Sequence, residues 1–420
     1  MPDQIGQLVT FTPQIAIDTY GSEIEVSDFI DVSGVSEIVQ SIDSEDYDVG
    51  IFSFGDLELV GRNKNGYFNA PTDSRSIFSF GRDLCKVRVD FREFNITRNS
   101  NHEVTATTIT DSITFLGVIN EEATRISPVD GTIIFRVLSS DSVLRKTKIS
   151  EGQIPNGITA ENAIKSILNV DKIKSVLTYS AGNINVDTDF TIDDGTFFDN
   201  LSAFDGLKEL LIASNSILFI DDTLTIFVKS RAANGALSTI YLYGPSDIYG
   251  DRENIIRIDA YNTGEHRMFN SVKIGDFESN DSGSITEFGL RQKAFEFTAV
   301  TNTSTLGTIA NAILSEFVVP KIEMEVTVRT SLAKDWELLQ PVSVNYPLRF
   351  KPPSGDFLPI VGQTKYNVDT DQPYPESYGS LEISPNIKFK IIEIRHDPST
   401  FESVIKIRQD GTAYGTGWWA

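Results

Sequence analysis

Cysteine is almost missing from this chain of 420 residues, where Cys85 stands alone. One thiol excludes an intramolecular disulfide framework and any cluster that needs two thiolates from one chain. Histidine is nearly as scarce. His102, His266 and His396 lie far apart, with no HxxxH or HExxH spacing to seat a zinc ion. No GxSxG elbow, P-loop or GxGxxG stretch occurs, so the sequence assigns no catalytic residue, no metal ligand and no cofactor. Long hydrophobic runs are absent too, and none approaches the ~20 residues of a membrane span. The start, MPDQIGQLVTFTPQ, lacks a basic segment followed by an apolar one, so neither a signal peptide nor a membrane-spanning segment is expected, and synthesis is expected in the cytoplasm. Positive charge is in short supply: 36 Lys plus Arg stand against 59 Asp plus Glu, a formal charge of −23. Such a surface repels a nucleic-acid backbone, which argues against sequence-specific DNA binding. It fits an ordinary solvated surface, or one that must sit beside DNA without adhering.

What is present reads first as β structure. Residues 1 to about 150 are broken by Gly, Asn, Asp and Ser and show no long helical pattern. CKVRVDFREFNIT (85–97) alternates Val87, Val89 and Phe91 with Lys86, Arg88, Asp90 and Arg92, the period of a half-buried strand. Thr-rich alternation over 102–120 and GTIIFRVL (131–138) continue the set, and short strands at such spacing predict a barrel or sandwich. IFSFG occurs at 51–55 and again at 77–81, which is read as two strands of one small sheet using the same solution, or as a duplicated contact segment. Two copies are too few for a solenoid.

The grammar changes after residue 150. PNGITAENAIKSILNVDKI (155–173) sets Ala163, Ile164, Ile167 and Leu168 on one helical face behind Thr159 as N-cap. The clearest stretch is DNLSAFDGLKELLIASNSILFIDDTLTIFVKSR (199–231). Leu201, Phe204, Leu207, Leu210 and Leu211 recur at helical spacing, and Asn215 is placed to take a left-handed cap conformation. Then 217–220 and 224–228 form apolar runs around Asp221, Asp222 and Thr223, the composition of a hairpin turn. Both strands are apolar at nearly every position. Each face of the hairpin should therefore lie against something, one the helix and the other a neighbouring domain. Leu207, Leu210, Leu211, Phe219 and Phe227 are expected to be buried.

A third helix is expected over TSTLGTIANAILSEF (303–317), with Leu306, Ile309, Ala310, Ile313, Leu314 and Phe317 as its stripe and Pro320 beyond its end. Further strands are expected at 254–261, 268–274, IEMEVTVRT and 336–346, and a hairpin from IKFKIIEIRHD and FESVIKIRQD. Residues 347–387, with seven prolines, make the longest irregular stretch, of the length that contact loops have. The acid-rich NINVDTDFTIDDG (183–195) has Asp187 and Asp189 two apart but lacks the glycine and closing Glu of a calcium loop, and reads as a solvated turn, with an adventitious cation site as the alternative. The chain ends GTAYGTGWWA. Its Trp418 and Trp419 have no core of their own to enter, so they are read as docking on the same subunit or anchoring a partner interface.

FGDLELVGRNKNGYF (54–68), FGRDLCKVRVDF (80–91), LKELLIASNSILFIDDTLTIFVKSR (207–231), NIIRIDAYNTGEHRMFNSVKIG (254–275), and WELLQPVSVNYP followed by FKIIEIRHDPSTFESVIKIRQ, taken in order, resemble the tail hub or baseplate hub proteins of tailed bacteriophages. The resemblance covers most of the chain after about residue 50. It implies a mainly β, α+β fold in which two small β-barrels are joined by α+β segments with about three short helices. The corresponding units are 1–150 for the first barrel, 151–265 for a middle domain with helix and hairpin, 266–330 for a strand-helix-strand connection, and 331–420 for the second barrel and tail. It further implies a non-enzymatic virion protein assembled as a homotrimer at the distal end of the tail tube. The implied partners are the tail tube or distal tail protein, tip or fibre proteins and the tape-measure protein, with DNA only passing through the channel. Some such hubs hold an iron–sulfur cluster on several cysteines, a pattern from which Cys85 alone departs. Others carry peptidoglycan-cleaving domains, for which no motif is present.

Two other classes compete. One is a β-rich carbohydrate-cleaving enzyme using a carboxylate pair, which would need a concave site; 59 acids make such a pair no evidence in itself. The other is a receptor-binding tail protein.

Overall fold

The computed structural model describes residues 10–17, 22–25, 30–35, 37–43, 50–54, 57–63, 86–98, 104–119, 125–127, 129–221, 223–231, 237–244, 254–262, 267–345, 347–349, 380–382, 388–397, 400 and 402–410. The fold is mainly β with helices concentrated in the middle of the chain. The expected strands of the first region are there, two of them long. Lys86–Arg98 and Val104–Ile119 pair antiparallel along nearly their whole length. They sit at the centre of an eight-stranded sheet. Thr10–Ile17 and Ser22–Glu25 flank this pair on one side, and Thr132–Ser139, Leu57–Arg62 and Ile30–Val35 on the other.

A second, ten-stranded sheet draws on distant parts of the chain. Its middle is the C-terminal hairpin Lys388–Asp397 and Glu402–Gln409. One edge of Lys388–Asp397 is shared: Pro341–Asn345 pairs with its start and Ile38–Asp43 with its end. Ile38–Asp43 then pairs with Gly50–Phe54, which runs parallel to Ser216–Ile220 of the middle hairpin. The first IFSFG copy is thus wedged between the two hairpins; the second lies outside the described residues, so the expected pairing of the copies does too. On the far side Glu402–Gln409 pairs with Glu323–Arg329, and that strand with Ile255–Asn262. Ile240–Tyr243 pairs with Pro341–Asn345. Asn254 closes the remaining gap, its backbone N–H donating to Tyr243 O (3.1 Å), its side chain accepting from Tyr243 N (2.7 Å) and donating to Tyr241 O (2.8 Å).

The helices form where capping chemistry and periodicity agree. Thr159 accepts from the Asn162 N–H at the start of Ala160–Leu168, and Ala163, Ile164, Ile167 and Leu168 are buried as the spacing requires. Ala203–Ala213 starts behind Ser202, whose hydroxyl accepts from Asp205 N–H; Leu201 lies just before the helix and packs on the core from there. Asn215 follows with φ 52°, the left-handed conformation expected of it. Thr303–Phe317 matches its expected bounds behind the Asn302 cap, and all six stripe residues pack into the core. A further helix of two turns, Ser282–Phe288, was missed because its pattern is short, as were the four-residue helices Ser142–Arg145, Asp171–Lys174 and Thr330–Ala333; the signals of Ser282–Phe288 are Asp281, which caps Ser284 N–H at 2.7 Å, and Gly289 at φ 75°.

The hairpin has two buried faces. Leu218, Ile220, Ile226 and Val228 belong to the core built on the helices. Ile217 and Phe219 belong to the core of the ten-stranded sheet, and half-buried Phe227 packs against it, its ring stacked on Phe219 at 5.0 Å. Strand alternation assigns the two sets to opposite faces. The turn is longer than its composition suggests. Asp221 Oδ1 accepts from Thr223 N (2.9 Å), Thr225 N (2.8 Å) and the Thr223 hydroxyl (2.7 Å). Leu224 takes a left-handed φ of 62°, so the second strand begins at Ile226 and not at residue 224. Similarly, Leu339 at φ 65° breaks the expected 336–346 strand, which begins at Pro341.

Leu211 is fully buried among the helix-side core residues. Leu211→Ala is expected to cost about 2–5 kcal/mol, read as a lowered denaturant midpoint at unchanged m-value. An unchanged midpoint would place the core elsewhere.

Candidate functional site

Among the described residues, a cluster of buried charged side chains lies where the helix-bearing middle meets the ten-stranded sheet. Asn215 starts it. Its side chain donates to Asp187 Oδ2 (3.1 Å) and accepts from Arg231 Nη1 (3.3 Å), so one left-handed residue ties the acidic segment to the base of the hairpin. Arg231 is 2% exposed and its guanidinium stands over the Phe317 ring, 4.6 Å from the centroid. Burial lowers its pKa, against the attraction of Glu316 and Asp187. Glu316, at the end of Thr303–Phe317, pairs with Lys321 (2.5 Å) and Lys390 (3.6 Å). Lys390 also lies 3.6 Å from Asp410 and donates to the Arg231 carbonyl. Burial opposes the Glu316 charge, yet Lys390, Arg231 and Lys321 override it and hold the carboxyl at about 2. Lys321 is pushed down to about 8 by burial, with Glu316 pulling the other way.

A second buried pair adjoins this junction. Arg408 directs Nε and Nη2 at Glu323 Oε1, the first at 2.7 Å, while Arg267 lies 3.7 Å from the same oxygen. Burial lowers Arg408 to about 9. These ion pairs span five chain segments. A buried pair of this kind adds little net stability, but breaking one side leaves an uncompensated charge.

The junction is a fastening, its charged groups directed at one another. The one described histidine tells the same story. His396 Nδ1 lies 2.7 Å from the Ser403 hydroxyl, and Ser403 is 2.9 Å from Thr330 Oγ1. Ser403 is fully buried and His396 is 8% exposed, so this Ser-His contact is closed to any substrate. His102 and His266 lie outside the described residues, as do Cys85, Trp418 and Trp419. Of the four acids of 183–195, Asp187 is held by the Asn215 side chain and the other three accept from backbone N–H groups. Asp189 accepts from Glu161 N (3.1 Å), Asp193 from Thr301 N (2.7 Å) and Asn302 N (2.9 Å), and Asp194 from Thr196 N (3.0 Å). Those two backbone bonds, from Thr301 first, lower the Asp193 pKa. Gly195 fits this turn because a Cβ there would lie 1.9 Å from the Ile154 carbonyl oxygen. Among the described residues no group of three or more His, Cys, Asp and Glu is arranged to hold a metal ion, and no helix is long and apolar enough to cross a membrane.

Sequence reasoning missed the junction entirely. Its partners are far apart in the chain, Arg231 and Lys390 by 159 positions. A local signal is Lys390 itself, a lysine inside the run 389–392, whose other three residues are apolar and whose four residues are all buried.

No protein-family model matches the chain, and no curated protein is significantly similar to it. Among solved structures it is similar to the tail protein from Neisseria meningitidis MC58, with TM-score 0.54 and 11% identity, covering 96% of this chain and 97% of that one. The 43 kDa tail protein of prophage MuSo2 from Shewanella oneidensis is similar over 96% and 98% of the two chains, with TM-score 0.48 and 13% identity. A chain of the phage P2 baseplate in its activated conformation with Ca is covered over 99% of its length, with TM-score 0.34 and 10% identity. At these identities the likeness is one of fold, and the Neisseria protein carries it. What the comparison shows is that the chain shares its fold with a tail protein.

Two groups outside the junction's pairs, buried His396 and half-buried Glu209, should give opposite pH dependences. Burial pushes His396 down to about 4 from 6.5, so on acidification the unfolded chain takes up a proton that the folded chain refuses. Its stability contribution is complete above pH 6.5 and is lost as pH falls toward 4. Burial raises Glu209, whose Oε1 has no partner, to about 7 from 4.5. Its contribution is lost as pH rises from 4.5 toward 7. The two should nearly cancel between pH 4.5 and 6.5. In Glu209→Gln, stability should fall by on the order of 2 kcal/mol on acidification across that window, and in His396→Gln it should rise by a similar amount. Unfolding midpoints at the two pH values check this, and parallel profiles for both variants would refute it.

Proposed function

We propose that three copies of this chain form the hub at the distal end of a phage tail tube, bridging tube and tip and surrounding the channel for tape-measure protein and DNA. The observation that supports this most is the likeness in fold, over nearly the full length of both chains, to a tail protein. In this reading the chain is a virion component whose neighbours are the tail tube or distal tail protein on one side and tip or fibre proteins on the other.

The strand order suits the reading. Ile255–Asn262, Glu323–Arg329, Glu402–Gln409, Lys388–Asp397, Pro341–Asn345 and Ile240–Tyr243 follow one another by pairing, and Asn254 joins the last to the start of the first. We take these six as the second small barrel, centred on residues 331–420, and the eight-stranded sheet as the first, within 1–150. Residues 151–265 and 266–330 are the α+β units between them. Two similar barrels per copy place six like units in a ring of three, which mates with a sixfold tube while the ring itself keeps threefold symmetry for the tip.

The proposed role involves no catalysis and no cofactor. Trp418 and Trp419 serve as anchors at a partner interface, where tryptophan is favoured. Three copies carry a formal −69 (3 × −23), and acids facing the channel would leave passing phosphates no cations to hold them.

Mass measurement in solution should give three copies, with ring-shaped particles in negative stain, and no release of sugars or peptides from cell-wall material. A monomeric mass at every concentration tried, or hydrolysis abolished by replacing a single carboxylate, would overturn the reading.

A further inference from the structure

Charge is unevenly distributed within the helix-bearing middle of the chain. Between 142 and 174 there are six Lys and Arg against three acids, while 175–207 holds six Asp and no Lys, Arg or Glu. Arg145, Lys146, Lys148, Lys172 and Lys174 are all exposed. The fold brings them together, since helix Ser142–Arg145 packs against helix Asp171–Lys174 and Lys172 Nζ donates to the Lys146 carbonyl (3.1 Å). Lys148 forms an isolated backbone bridge with Ser202, just ahead of the neighbouring helix. Arg145 is held by Asp141 (3.2 Å) and by the Phe204 ring, whose centroid lies 3.5 Å from its guanidinium carbon. Two exposed acids, Asp171 and Asp205, stand beside these five cations. Among the described residues neither Lys148 nor Lys172 forms an ion pair, and Lys174 only a long one of 4.0 Å with Asp171.

The opposite charge gathers on a rim where two loops lie together. Gly152 N–H donates to Asp199 Oδ1 (2.9 Å), Gly157 N–H to the Ile192 carbonyl (2.8 Å) and Gly195 N–H to Asn156 Oδ1 (2.7 Å), so residues 152–157 run along 192–199. Glu151 and Asp189 are exposed on this rim, and Asp193, Asp194 and Asp199 are half-buried. The four Asp accept from backbone N–H groups, which orient a carboxylate and favour its charged form without cancelling the charge. Among the described residues none of the five forms an ion pair. Glu161 beside them is taken by Lys165, and Asp187 belongs to the junction. Lys148 and Glu151, both exposed and three positions apart, are not paired with each other either. One copy of the chain therefore carries a cationic patch and an acidic rim whose charges it leaves uncancelled.

We infer that the patch of Lys148, Lys172 and Lys174 docks on the rim of Glu151, Asp189 and Asp199 of a second copy of the same chain. The inference rests on the three-copy reading above and names its contact. Two different surfaces of one chain with complementary charge make a head-to-tail interface, which closes into a ring when the rotation allows. Repeated three times, it sets each rim against a neighbour's lysines and relieves part of the mutual repulsion of three chains of charge −23. A nucleic acid is the less favoured occupant of the patch, because the acidic rim adjoins it and repels phosphates.

The test alters each surface on the full chain. Lys148→Glu with Lys172→Glu and Lys174→Glu should shift the mass in solution from three copies to one, with the circular dichroism spectrum unchanged. Glu151→Lys with Asp189→Asn and Asp199→Asn should do the same, since each Asn keeps an oxygen for the N–H its Asp accepts from. Wild-type assembly should weaken as sodium chloride rises from about 50 mM to about 500 mM. A second measurement needs no variant: a carbodiimide joins an amine to a carboxylate that touches it. Wild-type chains joined in this way into two- and three-chain species should yield peptides linking Lys148, Lys172 or Lys174 to Glu151, Asp189 or Asp199. Three copies persisting in either folded variant, or chains joined only at other positions, would overturn this inference and leave the hub reading standing. A wild-type chain that is monomeric at low salt would instead sink the hub reading itself. Retarded migration of a duplex DNA probe by wild type but not by the lysine variant would hand the patch to nucleic acid and overturn the inference.

Discussion

The hairpin of Ser216–Ile220 and Ile226–Ser230 must be apolar on both faces because it belongs to two cores at once. Leu218 opposes Val228 and Ile220 opposes Ile226 on the helix side, while Phe219 opposes Phe227 on the other. A register slip of one residue would send each set to the wrong core. No solvent-facing position is available on Ser216–Ile220, where all five residues are buried. Gly50–Phe54 adds a parallel strand along its free edge, and residues 178–185 cover the edge of Ile226–Ser230 through bonds such as Asn185 N–H to the Val228 carbonyl (2.9 Å). The two cores are therefore mechanically one piece.

The buried ions at the hairpin's base serve a different purpose from the apolar contacts. Apolar surfaces tolerate small shifts, whereas Arg231, Glu316, Lys321 and Lys390 are satisfied in only one arrangement of helix, hairpin and C-terminal strand. Their desolvation offsets much of what their attraction contributes, so the gain lies in alignment more than in stability. Asn215 shows the economy of the design: its backbone ends a helix in the left-handed region and its side chain passes the connection from Asp187 to Arg231.

Local features were legible in the sequence and distant pairings were not. The caps at Thr159 and Asn215, the stripe of Thr303–Phe317 and the two-faced hairpin all follow from spacing within about fifteen residues. By contrast, nothing near Ile38–Asp43 announces that it pairs with a strand more than three hundred residues on. The turn at Leu224 escaped because a leucine rarely accepts a left-handed φ, and only the three donors gathered by Asp221 hold it there. The junction ions escaped for the same reason as the sheet order, since charges in a sequence look solvated until the fold buries them. The tail tryptophans lie outside the described residues, so their reading stays where the sequence left it.

The most direct test of the account is an electron-microscopy reconstruction of the assembled tail particle, at a resolution that traces the long strands Lys86–Arg98 and Val104–Ile119. The account predicts three copies around the tail axis at the end of the tube, with two strand-rich rims per copy facing the tube in sixfold register. Copies set off the axis as a fibre, or a ring of any number other than three, would contradict it.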